Sequence, residues 1–346
     1  MLTIKEVIAK LLEGRDLTES EARSVMVLTM QGEASAAQRA SLVTALHMKG
    51  ETVDEIAGFA LALRELAKPV RPKRGDLVDI SGTGGDRTGS FNISTTAAFV
   101  VAGAGVGVAK HGARSVSSHC GSADLLEQLG VNLTLSPEEV AACIDGVGIG
   151  FLFAPKLHPA MEYAEEARRE IGVRTVFDIV GPLANPAGAI SQVLGVYAGS
   201  LTEPLARVLS ILGCHSAYAV YGADGLDELS TTGVNKVSSL YDGNVSTFAL
   251  DSVELGLPRA QVSDLLGGVP EENAAITRSI LGGREGPQRD VTVLNAAATL
   301  VVSGHATSLL DAISISQEAI DSGAAARKLD ELIAFSQDAA ATRLSA

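Results

Sequence analysis

The sequence predicts an α/β protein in two parts: a small all-helical N-terminal domain over residues 1–70 and a large α/β domain over 75–346 with a mostly parallel central sheet. Three observations carry this. Up to residue 67 the apolar residues recur at helical spacing behind repeated cap signals. KPVRPKRGD, with two prolines, then breaks the pattern near 69–75. Beyond it, short apolar runs that end in glycine alternate with helical segments, the pattern of strand–helix–strand units.

Thr18 with Glu21, Ser35 with Gln38 and Thr52 with Glu55 have capping-box spacing, in which two otherwise unpaired N–H groups are satisfied reciprocally. With Gly50 as a stop, they set helices at about 4–13, 19–31, 36–49 and 53–67. LVDISGTGG then reads as a buried strand entering a glycine loop, and FNISTTAAFVVAGAG as the helix behind it. GVGVAKHG is a second strand and loop, and SADLLEQLG a short helix stopped by Gly130. LSPEEVAACIDG is a helix with Ser136 as cap, Pro137 in its first turn and Glu139 closing a capping box. GIGFLFAP, VLGVYAG and HSAYAVYG are further strands, and the tail from Leu310 is amphipathic and helical.

Composition narrows the function. A net charge of −14 over 346 residues repels nucleic acid and anionic membranes at long range. Apolar runs such as AAFVVAGAGVGVA are too short and glycine-rich to span a bilayer. Cys120, Cys143 and Cys214 show no paired spacing, which fits a reducing compartment and argues against a disulfide framework or a zinc site. The N-terminus lacks the apolar core and cleavage site of a secretory signal, so a cytoplasmic protein is expected.

Four segments carry the chemistry. SGTGGDRTGSFNIST, Ser81 to Thr95, is a glycine loop between a strand and a helix start, where free N–H groups and the helix dipole favour an anion. It is neither a P-loop nor a dinucleotide fingerprint: no Gly-Lys-Ser/Thr closes it, and Arg87 takes the place of the third glycine. Next, no Asp or Glu occurs from Arg87 to Ala123, which leaves Arg87, Lys110, His111, Arg114 and His119 as a positive island beside serine hydroxyls. Such a set suits phosphate, and two such loops suit a ligand with more than one phosphate. In YGADGLDELSTTG, the adjacent acids Asp227 and Glu228 make a loop site for Mg²⁺, which takes one or two carboxylates and completes its shell with water and phosphate oxygens. Read alone, the pair is better taken as a solvated acidic turn, and the metal reading gains weight only because the other loops predict a phosphorylated ligand. Finally, Leu157 to Pro186 carries His158 and the arginines Arg168, Arg169 and Arg174, one of which turned inward would clamp a carboxylate; the sequence does not choose among them.

Together and in this order, the four segments resemble the anthranilate phosphoribosyltransferase family. The resemblance lies in GTGGD followed by NIST, in KHGARSVSSHCGSAD, in HPAM with the arginine helix and GPLANP, and in DGLDE, over nearly the whole chain. It implies a fold of the nucleoside-phosphorylase type and a homodimer joined through the helical domain, which also lines the active-site cleft. It further implies transfer of the 5-phosphoribosyl group from phosphoribosyl pyrophosphate (PRPP) to anthranilate, in tryptophan synthesis. By the same resemblance, Gly82, Gly85, Asp86, Ser90, Asn92, Ser94, Thr95, Lys110, Arg114, Ser117, Ser118 and Ser122 hold PRPP. Ser94, Asp227 and Glu228 hold up to two Mg²⁺ ions. Arg168 meets the anthranilate carboxylate, Gly82, His158 and Pro182 line the aromatic site, and His111 is a candidate proton acceptor. The family usually has asparagine, lysine and asparagine where this chain has Ala113, Glu162 and Asp178. All three lie in segments assigned to the acceptor, so a different aromatic amine is an alternative substrate. A non-catalytic relative that binds nucleic acid is a second alternative, which the acidic balance opposes.

Overall fold

The computed structural model describes residues 2–86, 88–115, 119–163 and 170–344. Four helices precede the first strand: α1 (Ile4–Leu12), α2 (Glu19–Met30), α3 (Ala36–Lys49) and α4 (Val53–Leu66). All four begin in complete capping boxes, the three expected ones and a fourth at Thr3 with Glu6. Glu55 has a further task. Its buried carboxylate accepts from the N–H of Leu17 at 2.9 Å and from Lys49 Nζ at 2.9 Å, so one acid ties α4 to α3 and to the α1–α2 connection.

Seven strands form one sheet in the order β3-β2-β1-β4-β5-β6-β7. Strands β1 (Leu77–Gly82), β2 (Gly107–Gly112), β3 (Ile149–Phe153), β4 (Ser191–Gly195) and β5 (Ser216–Tyr221) are parallel, and β6 (Val234–Tyr241) and β7 (Asn244–Asp251) extend the sheet antiparallel. The last two form a hairpin that the strand pattern did not reveal. Its signal was Asp242-Gly243, both at positive φ (46° and 77°), the two-residue turn whose twist matches that of paired strands.

Between the parallel strands run α5 (Ile93–Gly103), α6 (Ser122–Leu129), α7 (Pro137–Val147), α8 (Val176–Leu183) and α9 (Thr202–Ile211). After β7 come α10 (Pro270–Leu281), α11 (Pro287–Val302), α12 (Leu309–Asp321) and α13 (Ala324–Leu344). The expected helical tail is thus two helices, parted at Gly323, whose φ of 72° an L side chain rarely adopts.

Alternate residues of the central strands feed opposite faces of the sheet. Val193 joins the core under α5, α6 and α10–α13, whereas its neighbour Leu194 joins the core of α1–α4, α8 and α9. The N-terminal helices therefore share an apolar core with α8, α9 and one sheet face. Arg64 of α4 reinforces this junction by donating to the carbonyls of Leu183 at 2.8 Å and Leu212 at 2.9 Å.

Candidate active site

The chain runs β1, β2, β3 toward one edge and then returns to lay β4 on the other side of β1. This reversal is the switch point at which open α/β sheets form a crevice beyond the carboxyl ends of their strands. Here the last residues of β1 and β4 are both glycine, and Gly82 pairs with Gly195. Asp227 lies on the two of them. A Cβ at Gly82 would stand 2.3 Å from Asp227 Oδ2, and one at Gly195 would stand 1.5 Å from the Asp227 carbonyl oxygen. Only glycine at both places lets the acidic loop reach the glycine loop.

Contact is made through the loop's backbone donors. Gly84 N–H donates to Asp227 Oδ2 at 2.6 Å, and Ser94 N–H, in the first turn of α5, donates to Glu228 Oε1 at 3.2 Å. Asn92 occupies the N-cap position of α5, but its side chain makes no cap bond, so Glu228 satisfies that helix end from 134 residues away. Two of the donors expected to serve an anionic ligand are thus engaged by the acidic pair.

The pair carries an electrostatic load. Burial, then the nearby charges of Asp86 and Glu228, push the Asp227 carboxyl well above the ordinary carboxylate range. Burial pushes Glu228 up to about 7, against hydrogen bonds from Ser94 and the attraction of Lys110. Like charges crowded out of water are stabilised by a cation. Among the described residues no three His, Cys, Asp or Glu side chains form a ready-made metal cage. Two carboxylates beside the Ser94 hydroxyl are instead a partial oxygen shell, which fits an ion such as Mg²⁺ that keeps waters and substrate oxygens.

Lys110 approaches from β2. Its ammonium donates to the Ile80 carbonyl at 2.7 Å and lies 3.5 Å from Ser94 Oγ. Asp79, fully buried in β1, accepts from His111 N–H at 3.2 Å and from Asn185 Nδ2 at 2.9 Å. Asn185 also donates to the Ala109 carbonyl at 2.8 Å, so the segment after α8 is bolted to the β1–β2 pair. Sequence reading passed over both residues, although an acid inside the apolar run LVDIS is itself a signal.

Beyond this lock stand His111 and His158, with ring centroids 5.0 Å apart. The imidazoles hydrogen-bond the backbones of Gly181 and Leu63 respectively, while the Nε2 atoms of both are buried without a partner. Burial drives His111 well below its usual range and His158 down to about 4. Both rings are neutral near pH 7.

The structure brings Gly82, Asp86, Ser94, Lys110, Asp227 and Glu228 together. Asp86 accepts from Thr88 N–H and Oγ1 at 3.2 and 2.7 Å, and the Asp227 N–H is 3.5 Å from its Oδ2. Gly84 and Gly85 take φ of 70° and 74°, and the Gly85 carbonyl accepts from Arg174, whose guanidinium lies 4.3 Å from the Tyr197 ring centroid. Ser90 forms a bridge to Leu266, and Thr95 is buried in α5. Ser122 opens α6 and donates to the Ala113 carbonyl at 3.3 Å. Pro182 lies in the last turn of α8, where its carbonyl accepts from Gln192. Asp178 closes the capping box of that helix by accepting from Thr175 N–H at 2.8 Å, while Glu162 is exposed. Arg114 differs from expectation. Its guanidinium is paired with Asp124 at 3.0 Å and Glu127 at 2.8 Å, because the first turns of α6 supply acids just beyond the acid-free stretch. Its charge is neutralised locally, so the positive island is narrower than the sequence suggested. Ser117, Ser118 and Arg168, with Arg87 and Arg169, lie outside the described residues.

Fold and site together define a glycosyl transferase with a helical bundle and an α/β domain, and comparison with known proteins agrees. Residues 5–67 match the family model "Glycosyl transferase family, helical bundle domain" and residues 74–326 match "Glycosyl transferase family, a/b domain". The chain is 52% identical to anthranilate phosphoribosyltransferase of Moorella thermoacetica, over 98% of this chain and 100% of that one. The crystal structure of the Thermus thermophilus enzyme superposes with a TM-score of 0.92 at 45% identity, covering 96% of this chain and 99% of that one. The Saccharomyces cerevisiae enzyme, solved in complex with PRPP and Mg, superposes at 0.88 with 27% identity, over 97% and 98%. The chain belongs to the anthranilate phosphoribosyltransferase family.

The histidine pair predicts an acid-sensitive fold. A histidine whose folded pKa is about 4, against about 6.5 unfolded, contributes stability that is present above pH 6.5 and lost as pH falls toward 4. For His158 this is on the order of 3 kcal/mol. Asp79, pushed up to about 6 by burial, acts in the opposite sense and loses its contribution as pH rises through 6. The difference in denaturation midpoint between the wild type and His158→Asn isolates the histidine. It should shrink or invert between pH 7 and pH 5, and a difference independent of pH contradicts the assignment.

Proposed function

We propose that this protein transfers the 5-phosphoribosyl group of PRPP to the amine of anthranilate, releasing pyrophosphate, in tryptophan synthesis. The observation that carries the reading is the acidic pair held against the glycine loop at the switch point, with buried Lys110 on one side and two neutral imidazoles beyond. The yeast enzyme's complex with PRPP and Mg supports it.

In the reaction the anomeric carbon–oxygen bond breaks with its electron pair staying on pyrophosphate, a carbon–nitrogen bond forms, and the nitrogen, acidic once the bond forms, passes its proton to water or to the departing pyrophosphate. Ser94, Asp227 and Glu228 would hold Mg²⁺, which when bound neutralises charge on the leaving group. The ammonium of Lys110 adds a fixed positive charge next to Ser94. Gly82, Gly85, Asp86, Ser90, Asn92, Thr95, Ser117, Ser118 and Ser122 would seat the donor, and Arg114, held by Asp124 and Glu127, would brace the second loop. His158 and Pro182 would line the acceptor pocket, with Arg168 on the anthranilate carboxylate. Burial makes His111 a poor base, and the amine becomes acidic as the bond forms, so no strong base is required. A neutral imidazole with an unpartnered nitrogen instead accepts a hydrogen bond from the amine and orients it.

Ala113 favours a second reading, the same donor with a different aromatic amine. It is exposed at the start of the second loop, where it can offer an incoming ring no amide. Anthranilate fluorescence followed with PRPP and Mg²⁺ separates the two. Depletion is expected, together with a lower KM for anthranilate in Ala113→Asn. No depletion by protein that binds PRPP would favour the other amine, and an unchanged KM would mean that the position does not limit binding.

We further propose a cytoplasmic homodimer joined through the N-terminal helices, where Leu12 and Met48 are 73% and 81% exposed. Light scattering should return twice the 35.6 kDa of one chain. Leu12→Asp with Met48→Asp should return one chain's mass, and a variant that stays dimeric would refute this face.

A further inference from the structure

The two loops assigned to PRPP are joined by a side chain outside both. Residues 265–267 run alongside the glycine loop. Phe91 N–H donates to the Leu265 carbonyl at 3.1 Å, Gly267 N–H to the Gly89 carbonyl at 2.8 Å, and Ser90 bridges Leu266. Asn273, 2% exposed in the first turn of α10, continues this tie with its side chain. Its Oδ1 accepts from Gly268 N–H at 2.8 Å, and its Nδ2 donates to Asn92 Oδ1 at 2.9 Å. Asn92 Nδ2 then donates to the Cys120 carbonyl at 2.9 Å, at the end of the second loop. The Cys120 thiol also contacts the Asn273 side chain.

The chain of bonds has one direction. A backbone N–H, which can only donate, stands at the Gly268 end, and a carbonyl, which can only accept, at the Cys120 end. Neither amide between them can flip without placing two donors or two acceptors face to face. This explains why Asn92 does not cap α5: its amide is held across the two loops.

We propose that Asn273 is a positioning residue for the donor. It sets the amide of Asn92 and through it fixes the glycine loop against the second loop, so that both meet PRPP in one arrangement. The inference rests on the PRPP reading above. A positioning role works through Asn92, whereas a merely structural one does not, and this decides the test.

Calorimetric titration with PRPP and Mg²⁺ is run on the wild type, Asn92→Ala, Asn273→Ala and the double variant, with KM for anthranilate as a second readout. Each single variant should weaken PRPP binding about tenfold, as for a lost buried hydrogen bond that strands its partner. The double variant should also lose about tenfold, because both changes break one relay. KM for anthranilate should move less than threefold in all three. Should Asn273→Ala fail to fold, Asn273→Asp closes the same cycle, since it keeps an acceptor for Gly268 and removes the donor to Asn92. Additive losses near a hundredfold, or unchanged PRPP affinity in the Asn273 variant, overturn the proposal and leave the functional reading intact. A wild type that does not bind PRPP overturns the functional reading, and this inference with it.

Discussion

The site depends on the seating of Asp227 on two paired glycines. Gly82 and Gly195 end β1 and β4 side by side, and the missing Cβ atoms let the loop after β5 lie directly over the switch point. Asp227 thereby reaches the Gly84 N–H, and Glu228 the start of α5. A methyl group at Gly195 would meet the Asp227 backbone at 1.5 Å, a clash that no rotamer change relieves. Acid pair, glycine loop and Lys110 then follow as one unit, because α5 starts where the glycine loop ends and Lys110 reaches the same Ser94.

Around this contact, the buried carboxylate and the amides that order the loops are paired, in contrast to the two imidazoles nearby. Asp79, Asn185, Asn92 and Asn273 each have their partners, so they order the loops without an unpaired donor. The imidazole nitrogens of His111 and His158 are the departure, buried and unpartnered on the side of the site given to the acceptor. An unpaired buried acceptor is costly, and a substrate N–H would relieve that cost.

Much of this was legible in the chain. The capping boxes of α2–α4 and α7 were visible because a hydroxyl and an acid or amide three residues apart need no tertiary context. The strand–glycine-loop alternation exposed the parallel sheet, and the ordered motifs exposed the family. What was not legible depends on distant partners. Arg114 looked free because its acids, Asp124 and Glu127, come into reach only when α6 folds back on the loop. Asn92 stood only as a PRPP contact implied by resemblance, because its structural partners Asn273 and Cys120 are 181 and 28 residues away. The β6–β7 hairpin was missed for a local reason, since β7 is an exposed edge strand whose pattern is weak and whose Asp-Gly turn was its clearest mark.

The central claim is that Asp227 and Glu228, held at the glycine loop, make donor binding depend on a divalent cation. Calorimetric titration of PRPP into the wild type and Glu228→Gln, each with and without Mg²⁺, tests it most directly. The account predicts tight binding only for the wild type with Mg²⁺, and a variant in which the metal no longer strengthens binding. Equal wild-type affinity with and without Mg²⁺, or a variant that keeps the full metal dependence, would contradict it.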